Sequence, residues 1–114
     1  MNKQTKFGDM IKELRTYKEL PLRKVAAALD IDTSTLSKIE KGERNANREM
    51  VKTLSEFFKQ DYQEMLVTFL SDKIAYELQE EDCSETVLKV AEEKISYFKK
   101  INKVLANHLH ESKK

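Results

Sequence analysis

The sequence is poor in the residues that punctuate a chain or cross-link it: one cysteine, one proline, two glycines and no tryptophan in 114 residues. A single thiol cannot form an intrachain disulfide and is typical of a reducing compartment, so we expect a cytoplasmic protein. We interpret Cys83 as a small apolar residue near a helix start. So few glycines and prolines leave few tight turns or sheet corners, which favours an all-α fold.

Long apolar runs and catalytic patterns are also missing. No run approaches the roughly 20 apolar residues that cross a membrane, and the polar start is unlike a signal peptide. No Gly-rich phosphate loop, triad spacing or pair of catalytic carboxylates stands out, so we expect neither an enzyme nor a cofactor. His108 and His110 stand in a polar tail without further ligands nearby, whereas zinc usually takes four clustered ligands, so we expect no metal.

Charge, in contrast, is abundant and unevenly distributed. The formal net charge is +1, but residues 1–60 have 13 Lys/Arg against 9 Asp/Glu, and residues 61–114 have 8 against 11. This imbalance indicates that only the first half meets a polyanion. We therefore predict two regions, residues 1–60 and residues 61–114, of which only the first would meet a polyanion.

Apolar residues recur at helical spacing along the whole chain. Pro21 suits the first turn of a helix, Asp32 is a good N-cap, and Gly42 is placed to end the helix that Asp32 begins. The predicted helices span residues 7–18, 22–29, 33–41, 47–59, 62–78 and 84–108.

Each of these helices has an apolar stripe that we expect to face inward. Tyr17 extends the stripe of the first helix, Phe57 belongs to that of the fourth, and Ile74 to that of the fifth. The rest of the expected core is Phe7, Met10, Ile11, Leu14, Leu22, Val25, Ala26, Leu29, Leu36, Ile39, Met50, Val51, Leu54, Phe58, Met65, Leu66, Phe69 and Leu70.

The second and third helices have the form of a helix-turn-helix. They are short and are joined by the three residues Asp30-Ile31-Asp32. In this motif the second helix enters the major groove of DNA and the first crosses the backbone. Hydroxyls can pair with donors or acceptors on base edges, and lysine favours guanine O6 and N7. The residues expected to contact bases are Thr33, Ser34, Ser37 and Lys38.

The run LRKVAAALDIDTSTLSKIEKGER resembles the Xre-type helix-turn-helix family, which includes the lambda-like repressors and Cro proteins. The similarity covers roughly residues 7–60, and its most specific part, TLSKIEKG at residues 35–42, is similar to the family's recognition helix and following loop. The resemblance implies an all-α, lambda-repressor-like, five-helix-type DNA-binding domain. Beyond the part that the resemblance covers, we expect a long C-terminal helix that forms a helical hairpin for dimerisation. The resemblance also implies an ion pair between Arg15 and Glu40; two solvated surface charges are the alternative.

The same resemblance places Arg48 at a phosphate or in the minor groove, where helix N-terminal amides also suit a phosphate. A solvated basic loop is the alternative. The chain departs from the family pattern at Leu22, where a polar residue is common, and at Asn45-Ala46, where proline is common. With leucine at position 22, we expect Arg23 or Lys24 to make the phosphate contact that a polar residue would make there. The residues expected at phosphates or the minor groove are Arg23, Lys24, Thr35, Lys41, Arg44, Asn47 and Arg48.

The last helix has a heptad pattern, in which apolar residues alternate in steps of three and four. Asn102 occupies one of these inward positions, where a polar residue specifies register. A second stripe (Val87, Val90, Ile101 and Val104) widens the apolar face. We expect packing both on the fifth helix and on a second subunit, with completion of the chain's own core as the alternative. The predicted dimer residues are Leu88, Ala91, Ile95, Phe98, Asn102, Leu105 and Leu109.

Together these features predict a homodimeric, sequence-specific regulator of transcription that binds a palindromic operator in double-stranded DNA. A restriction–modification controller and a phage-type repressor are the subtypes that fit, and activation and repression both stay open. The second hypothesis is an antitoxin that binds a toxin protein and autoregulates its operon. Besides DNA and a second copy of the chain, RNA polymerase and a toxin protein are candidate partners.

Overall fold

A computed structural model describes residues 5–112, with side chains as far as residue 109. The described residues form six α-helices and no strand, which confirms the all-α fold ending in a long helix. Their bounds lie close to those expected from apolar spacing. The helices are α1 (Phe7–Tyr17), α2 (Leu22–Leu29), α3 (Thr33–Lys41), α4 (Arg48–Phe57), α5 (Tyr62–Leu78) and α6 (Ser84–Ser112).

The chain divides into two compact units, one that ends at Glu77 and one that begins at Leu78. The sequence places the boundary after residue 60. The first unit continues through most of α5 because Met65 and Phe69 are part of its core. The second unit consists of α6 and the residues that lead into it.

The core of the first unit is apolar and closely packed. Partly buried side chains such as Leu14, Leu22 and Leu70 surround it. Its buried members are Phe7, Met10, Ile11, Val25, Ala26, Leu36, Val51, Leu54, Phe58, Met65 and Phe69.

Three residues expected inside the core are exposed. Tyr17 is 86% exposed; it is the last residue of α1, about one turn beyond Leu14, the last α1 residue that packs against the core. Phe57 is 37% exposed, since its neighbour Phe58 takes the inward position and adjacent helical residues differ in direction by about 100°. Ile74 is 49% exposed, one turn beyond Leu70, the last α5 residue that packs against the core.

Three helix ends use left-handed backbone at residues other than glycine. Glu19, Asp30 and Lys59 have φ of 55°, 56° and 54° and follow α1, α2 and α4. A left-handed residue with a Cβ costs about 1–2 kcal/mol, so surrounding packing must hold these turns. This explains how a chain with two glycines makes its turns.

The start of α1 is anchored to α5. The Phe7 amide donates a 2.6 Å hydrogen bond to Asp72 Oδ2. The rings of Phe7 and Phe69 also pack edge to face, with centroids 5.4 Å apart. Because α1 in turn contacts α3, α5 supports the third helix indirectly.

Gly8 allows the backbone of α1 to lie directly against the end of α3. A Cβ at Gly8 would lie 2.5 Å from the carbonyl oxygen of Ile39 and 2.6 Å from that of Glu40. These oxygens belong to the last turn of α3 and cannot move independently of it. An isolated glycine in a helix has no periodic signal, so this contact could not be predicted from the sequence.

We expect Gly8→Ala to lower the free energy of unfolding by about 1–3 kcal/mol, the range for overpacking, although alanine is the better helix former. Urea unfolding followed by circular dichroism measures this loss. The matched control is Glu13→Ala at an exposed position of α1, which should change stability by less than about 0.5 kcal/mol. A Gly8→Ala protein as stable as the control would contradict the close approach.

Candidate nucleic-acid interface

The turn between α2 and α3 has the geometry of a helix-turn-helix. The left-handed Asp30 ends α2, and the Ile31 amide donates to the Ala26 carbonyl at 3.0 Å. Val25 and Leu36, one from each helix, are fully buried and fix the helices against each other. Helix α3 also contacts α1, so it is supported along its inner side.

The outward face of α3 is polar and cationic. Ser34, Lys38 and Lys41 are exposed and follow each other at i, i+4 and i+7, which places them on one side of the helix. Leu36 and Ile39 are buried on the opposite side. A nucleic acid that approached α3 from solvent would therefore meet two ammonium groups and a hydroxyl.

The other α3 residues expected at DNA lie toward the sides of this face. Thr33 is exposed, whereas Thr35 and Ser37 are half-buried. Ser37 lines a cleft between α1, α2 and α3 together with Lys41 and Lys12. Lys12 was not among the predicted site residues, because its proximity to α3 depends on how α1 and α3 pack together.

Asp32 caps the N-terminus of α3. Its Oδ1 accepts hydrogen bonds from the Thr35 amide at 2.7 Å and from the Ser34 hydroxyl at 3.0 Å. Hydrogen bonding to Thr35, and next to Ser34, lowers the pKa of the Asp32 carboxyl, and the charge of Arg44 lowers it further. The Ser34 proton is used in this cap, which leaves the Ser34 oxygen as an acceptor.

We expect Asp32→Ala to destabilise α3, and Asp32→Asn to be milder because asparagine also caps helices. Because the folded pKa is lowered, the charged cap stabilises the fold fully above the ordinary pKa of 3.8, and this contribution is lost as the pH falls through the lowered value. Urea midpoints of the wild type and Asp32→Asn, measured from pH 6 to pH 2.5, should therefore converge below the ordinary pKa. A constant gap over that range would contradict the role of the carboxylate charge.

The loop after α3 is held against the last turn of that helix. Gly42 has φ of 78°, a left-handed conformation that favours glycine. The amides of Glu43 and Arg44 both donate to the Lys38 carbonyl, at 2.8 and 3.3 Å. This arrangement brings Arg44 back toward α3, where its charge acts on Asp32.

The side chains expected at phosphates are exposed, except for the half-buried Thr35. Asn47 has a further role, because its Oδ1 caps α4 by accepting from the Met50 amide at 2.8 Å. Only its NH₂ group remains for a phosphate. The exposed cations of this set are Arg23 and Lys24 in the first turn of α2, Lys41 at the end of α3, Arg44 in the loop, and Arg48 at the start of α4.

Arg15 and Glu40 form a two-bond ion pair inside the first unit. Arg15 Nε lies 2.8 Å from Glu40 Oε2, and Nη2 lies 3.0 Å from Oε1. The remaining nitrogen, Nη1, donates to the Leu20 carbonyl at 3.0 Å, in the turn after α1. The side chains are 16% and 5% exposed, and hydrogen bonding to Glu40 raises the pKa of Arg15. The pair thus joins α1, its following turn and the end of α3.

Leu22, the departure at the start of α2, is half-buried and packs against the core. It lines the same cleft as Ser37. An apolar side chain here completes the rim of the core, so polar contacts at this end of α2 must come from Arg23 and Lys24.

Among the side chains that the structure describes, no group of three or more His, Cys, Asp or Glu residues could hold a metal ion. The side chain of His110 lies outside the described residues. In the described part of the chain, every helix is too short or too polar to cross a membrane.

The residues expected at a dimer interface lie on α6, in the second unit. Of these seven, Ala91 is half-buried and the others are exposed. The Cys83 side chain, directly before α6, is exposed as well.

Comparison with known families agrees with this geometry. A family model described as a helix-turn-helix domain matches residues 8–68, more than half of the chain. The protein therefore belongs to the helix-turn-helix domain family, and this membership indicates a DNA-binding regulator. Comparisons with curated proteins and with solved structures found no match.

Proposed function

We propose that this protein is an Xre-type, sequence-specific transcriptional regulator that binds a palindromic operator in double-stranded DNA as a homodimer. It would act in the cytoplasm, as a restriction–modification controller or a phage-type repressor. The observation that carries the proposal is the division of α3 into a buried apolar side and an exposed side with Ser34, Lys38 and Lys41.

The exposed side of α3 has the chemistry of base recognition. Lys38, with its donor-only ammonium group, matches guanine O6 and N7 in the major groove. Ser34 accepts rather than donates, since its proton is held by Asp32. It therefore matches the amino groups of adenine and cytosine. Thr33 and the half-buried Ser37 flank these two residues and complete the proposed base-contacting set.

The exposed cations next to α3 have the chemistry of phosphate recognition. Arg23 and Lys24 lie in the first turn of α2, the helix that crosses the DNA backbone in this motif. Arg44 and Arg48 lie on the loop and helix that follow α3. Such contacts fix the position of the protein on the duplex, whereas α3 would supply the sequence preference.

A homodimer follows from the small size of one such site. One recognition helix contacts only a few base pairs, and a two-fold dimer doubles the contacted sequence. The exposed apolar positions of α6 supply a surface for the second copy. Half-sites would then lie about 34 Å apart or a multiple of this distance.

Selection of bound duplexes from random DNA at a stated salt concentration tests the proposal. We expect a palindromic motif, and its half-site spacing reports the distance between the two α3 helices. The slope of log affinity against log salt, about 0.9 per neutralised phosphate, counts the phosphate contacts. Recovery of random sequences, or of a single half-site, would contradict sequence-specific binding by a dimer.

The second candidate is an antitoxin, which the exposed apolar side chains of α6 also favour, because a toxin could cover them. In that case DNA binding would serve to autoregulate the operon. Co-expression with the product of the neighbouring gene distinguishes the two: an antitoxin should form a stable complex with it and neutralise its toxicity.

A further inference from the structure

Helix α6 displays a continuous coiled-coil seam to solvent. Its core positions recur in alternating steps of three and four residues from Leu88 to Leu109, the spacing at which two helices interlock side chains. Leu88, Ile95, Phe98 and Leu105 on this seam are 48%, 52%, 55% and 54% exposed. These large apolar side chains are about half exposed to water, and covering them with a second helix would lower the free energy of the protein.

We infer that this seam pairs antiparallel with α6 of a second copy, with the two-fold axis midway between Ile95 and Phe98. The inference rests on the homodimer of the proposed function and assigns its geometry. In this register Ile95 faces the partner's Phe98, and Leu88 faces the partner's Leu105.

Charge complementarity is the first reason for this orientation. Glu92 and Lys99 occupy equivalent heptad positions, because each directly follows a core residue, Ala91 or Phe98. In an antiparallel pair, residues at this heptad position face residues at the same heptad position of the partner helix. Here Glu92 meets the partner's Lys99, and the symmetry repeats the contact, so two opposite-charge pairs flank the axis. Both residues are exposed, and the two ion pairs of the described residues, Arg15–Glu40 and Lys52–Glu56, use neither of them.

The competing arrangements bring like charges together. In a parallel pair, a residue that flanks the seam faces the partner residue five positions further along the chain. Lys94 would therefore face the partner's Lys99, and the symmetry repeats this contact on the other side of the seam. Sliding the antiparallel pair by one heptad brings Glu92 against Glu92 in one direction and Lys99 against Lys99 in the other. Only the register centred between Ile95 and Phe98 pairs opposite charges, and like charges at such positions disfavour a partner.

Side-chain volume supports the same register. Asn102, the one polar core position, faces the partner's Ala91, where the small methyl group leaves room for the amide. A parallel pair would instead stack Ala91 on Ala91 and Phe98 on Phe98, and a layer with two small residues leaves a gap in the seam. The antiparallel register avoids this gap, because it places the small Ala91 opposite the larger Asn102.

Disulfide trapping tests the orientation in the full chain. The background is Cys83→Ser, which removes the native thiol, and the two test variants are Ala91→Cys and Asn102→Cys. A disulfide forms only when the two Cα atoms lie within about 7 Å. In the antiparallel pair each variant alone should stay uncrosslinked, whereas a mixture of the two, one carrying a size tag, should give a crosslinked heterodimer. Crosslinking of either variant alone would indicate the parallel pair and overturn the inference.

Reversing one charge should change the dimer affinity in opposite directions for the antiparallel and the parallel pair, which tests the orientation independently. Lys99→Glu places two carboxylates together in the antiparallel pair, so the dimer measured by sedimentation should dissociate about tenfold more readily. The double variant Glu92→Lys/Lys99→Glu should restore the affinity. In a parallel pair, Lys99→Glu would pair with Lys94 and tighten the dimer, which would overturn the inference.

The two proposals can fail separately in these experiments. A parallel dimer contradicts the geometry alone and leaves a homodimeric regulator in place. A protein that sediments as a monomer at the concentration where it binds the selected duplex contradicts both the seam pairing and the homodimer. In that case the selected DNA motif still reports whether α3 binds a specific sequence.

Discussion

Replacing Ser37 and Lys38 together by alanine is expected to remove most of the preference for the selected operator while the fold stays intact. Lys38 is exposed on the outward side of α3, and Ser37 lies at its edge. One contact to a base is worth about 1–3 kcal/mol of discrimination, so we expect a loss of about a hundredfold in specific affinity from the pair. Lys38 is exposed, Ser37 is only half-buried, and alanine is a good helix former, so the thermal midpoint should change little.

Fluorescence anisotropy at fixed salt measures this loss against both the operator and a scrambled duplex. Lys89→Ala on α6 is the matched control, since it removes the same charge at an exposed position outside the proposed interface. If the double variant keeps the wild-type ratio of specific to scrambled affinity, α3 does not supply the sequence preference. If the affinity for both duplexes falls by the same factor, Lys38 contacts a phosphate instead of a base.

The second large effect is expected from the ion pair at the end of α3. Glu40→Gln removes one charge of a pair whose side chains are 16% and 5% exposed, and it leaves the half-buried Arg15 without a counter-charge. Breaking such a pair costs about 3–5 kcal/mol, and the partial exposure of Arg15 puts our expectation near the lower end of that range. Because Arg15 also holds the Leu20 carbonyl, the turn between α1 and α2 should loosen together with α3.

Urea unfolding measures this loss, and the chain offers a control with identical chemistry. Glu56→Gln breaks the exposed Lys52–Glu56 pair, whose atoms lie 3.8 Å apart and whose side chains are 60% and 69% exposed. An exposed pair of this kind contributes about 0.3–0.5 kcal/mol, so the control should be almost neutral. Equal effects of the two substitutions would contradict an architectural role for Arg15 and Glu40. Replacing both partners by apolar residues, as in Arg15→Met/Glu40→Leu, should recover much of the stability.

The helices could be predicted because their signals are local. Apolar residues at intervals of three and four, together with Asp32 and Gly42 at the ends of α3, depend only on neighbours along the chain. The same holds for α6, whose seam is visible in the sequence without any knowledge of what covers it. The expectations for Tyr17 and Ile74 were wrong because a stripe shows which side of a helix is apolar, and not how far the core extends along it.

The candidate site could be predicted in part. The helix-turn-helix pattern identified the exposed cations and the hydroxyls of α3, but their availability depends on hydrogen bonds that the pattern does not show. Ser34 uses its proton in the Asp32 cap, and Asn47 uses its oxygen to cap α4. Lys12 joins the cleft beside Ser37 only through the packing of α1 on α3.

The amino-acid sequence alone determined the helical class, the place of the turn between α2 and α3, and which side of α3 is polar, because residue type and spacing along one helix are sufficient for each. Tertiary structure decided how α3 is held. The contact of Gly8 with the last turn of α3, the hydrogen bond from Phe7 to Asp72, and the geometry of the Arg15–Glu40 pair join residues far apart in the chain. Their distances depend on how whole helices pack, and no local pattern contains that information.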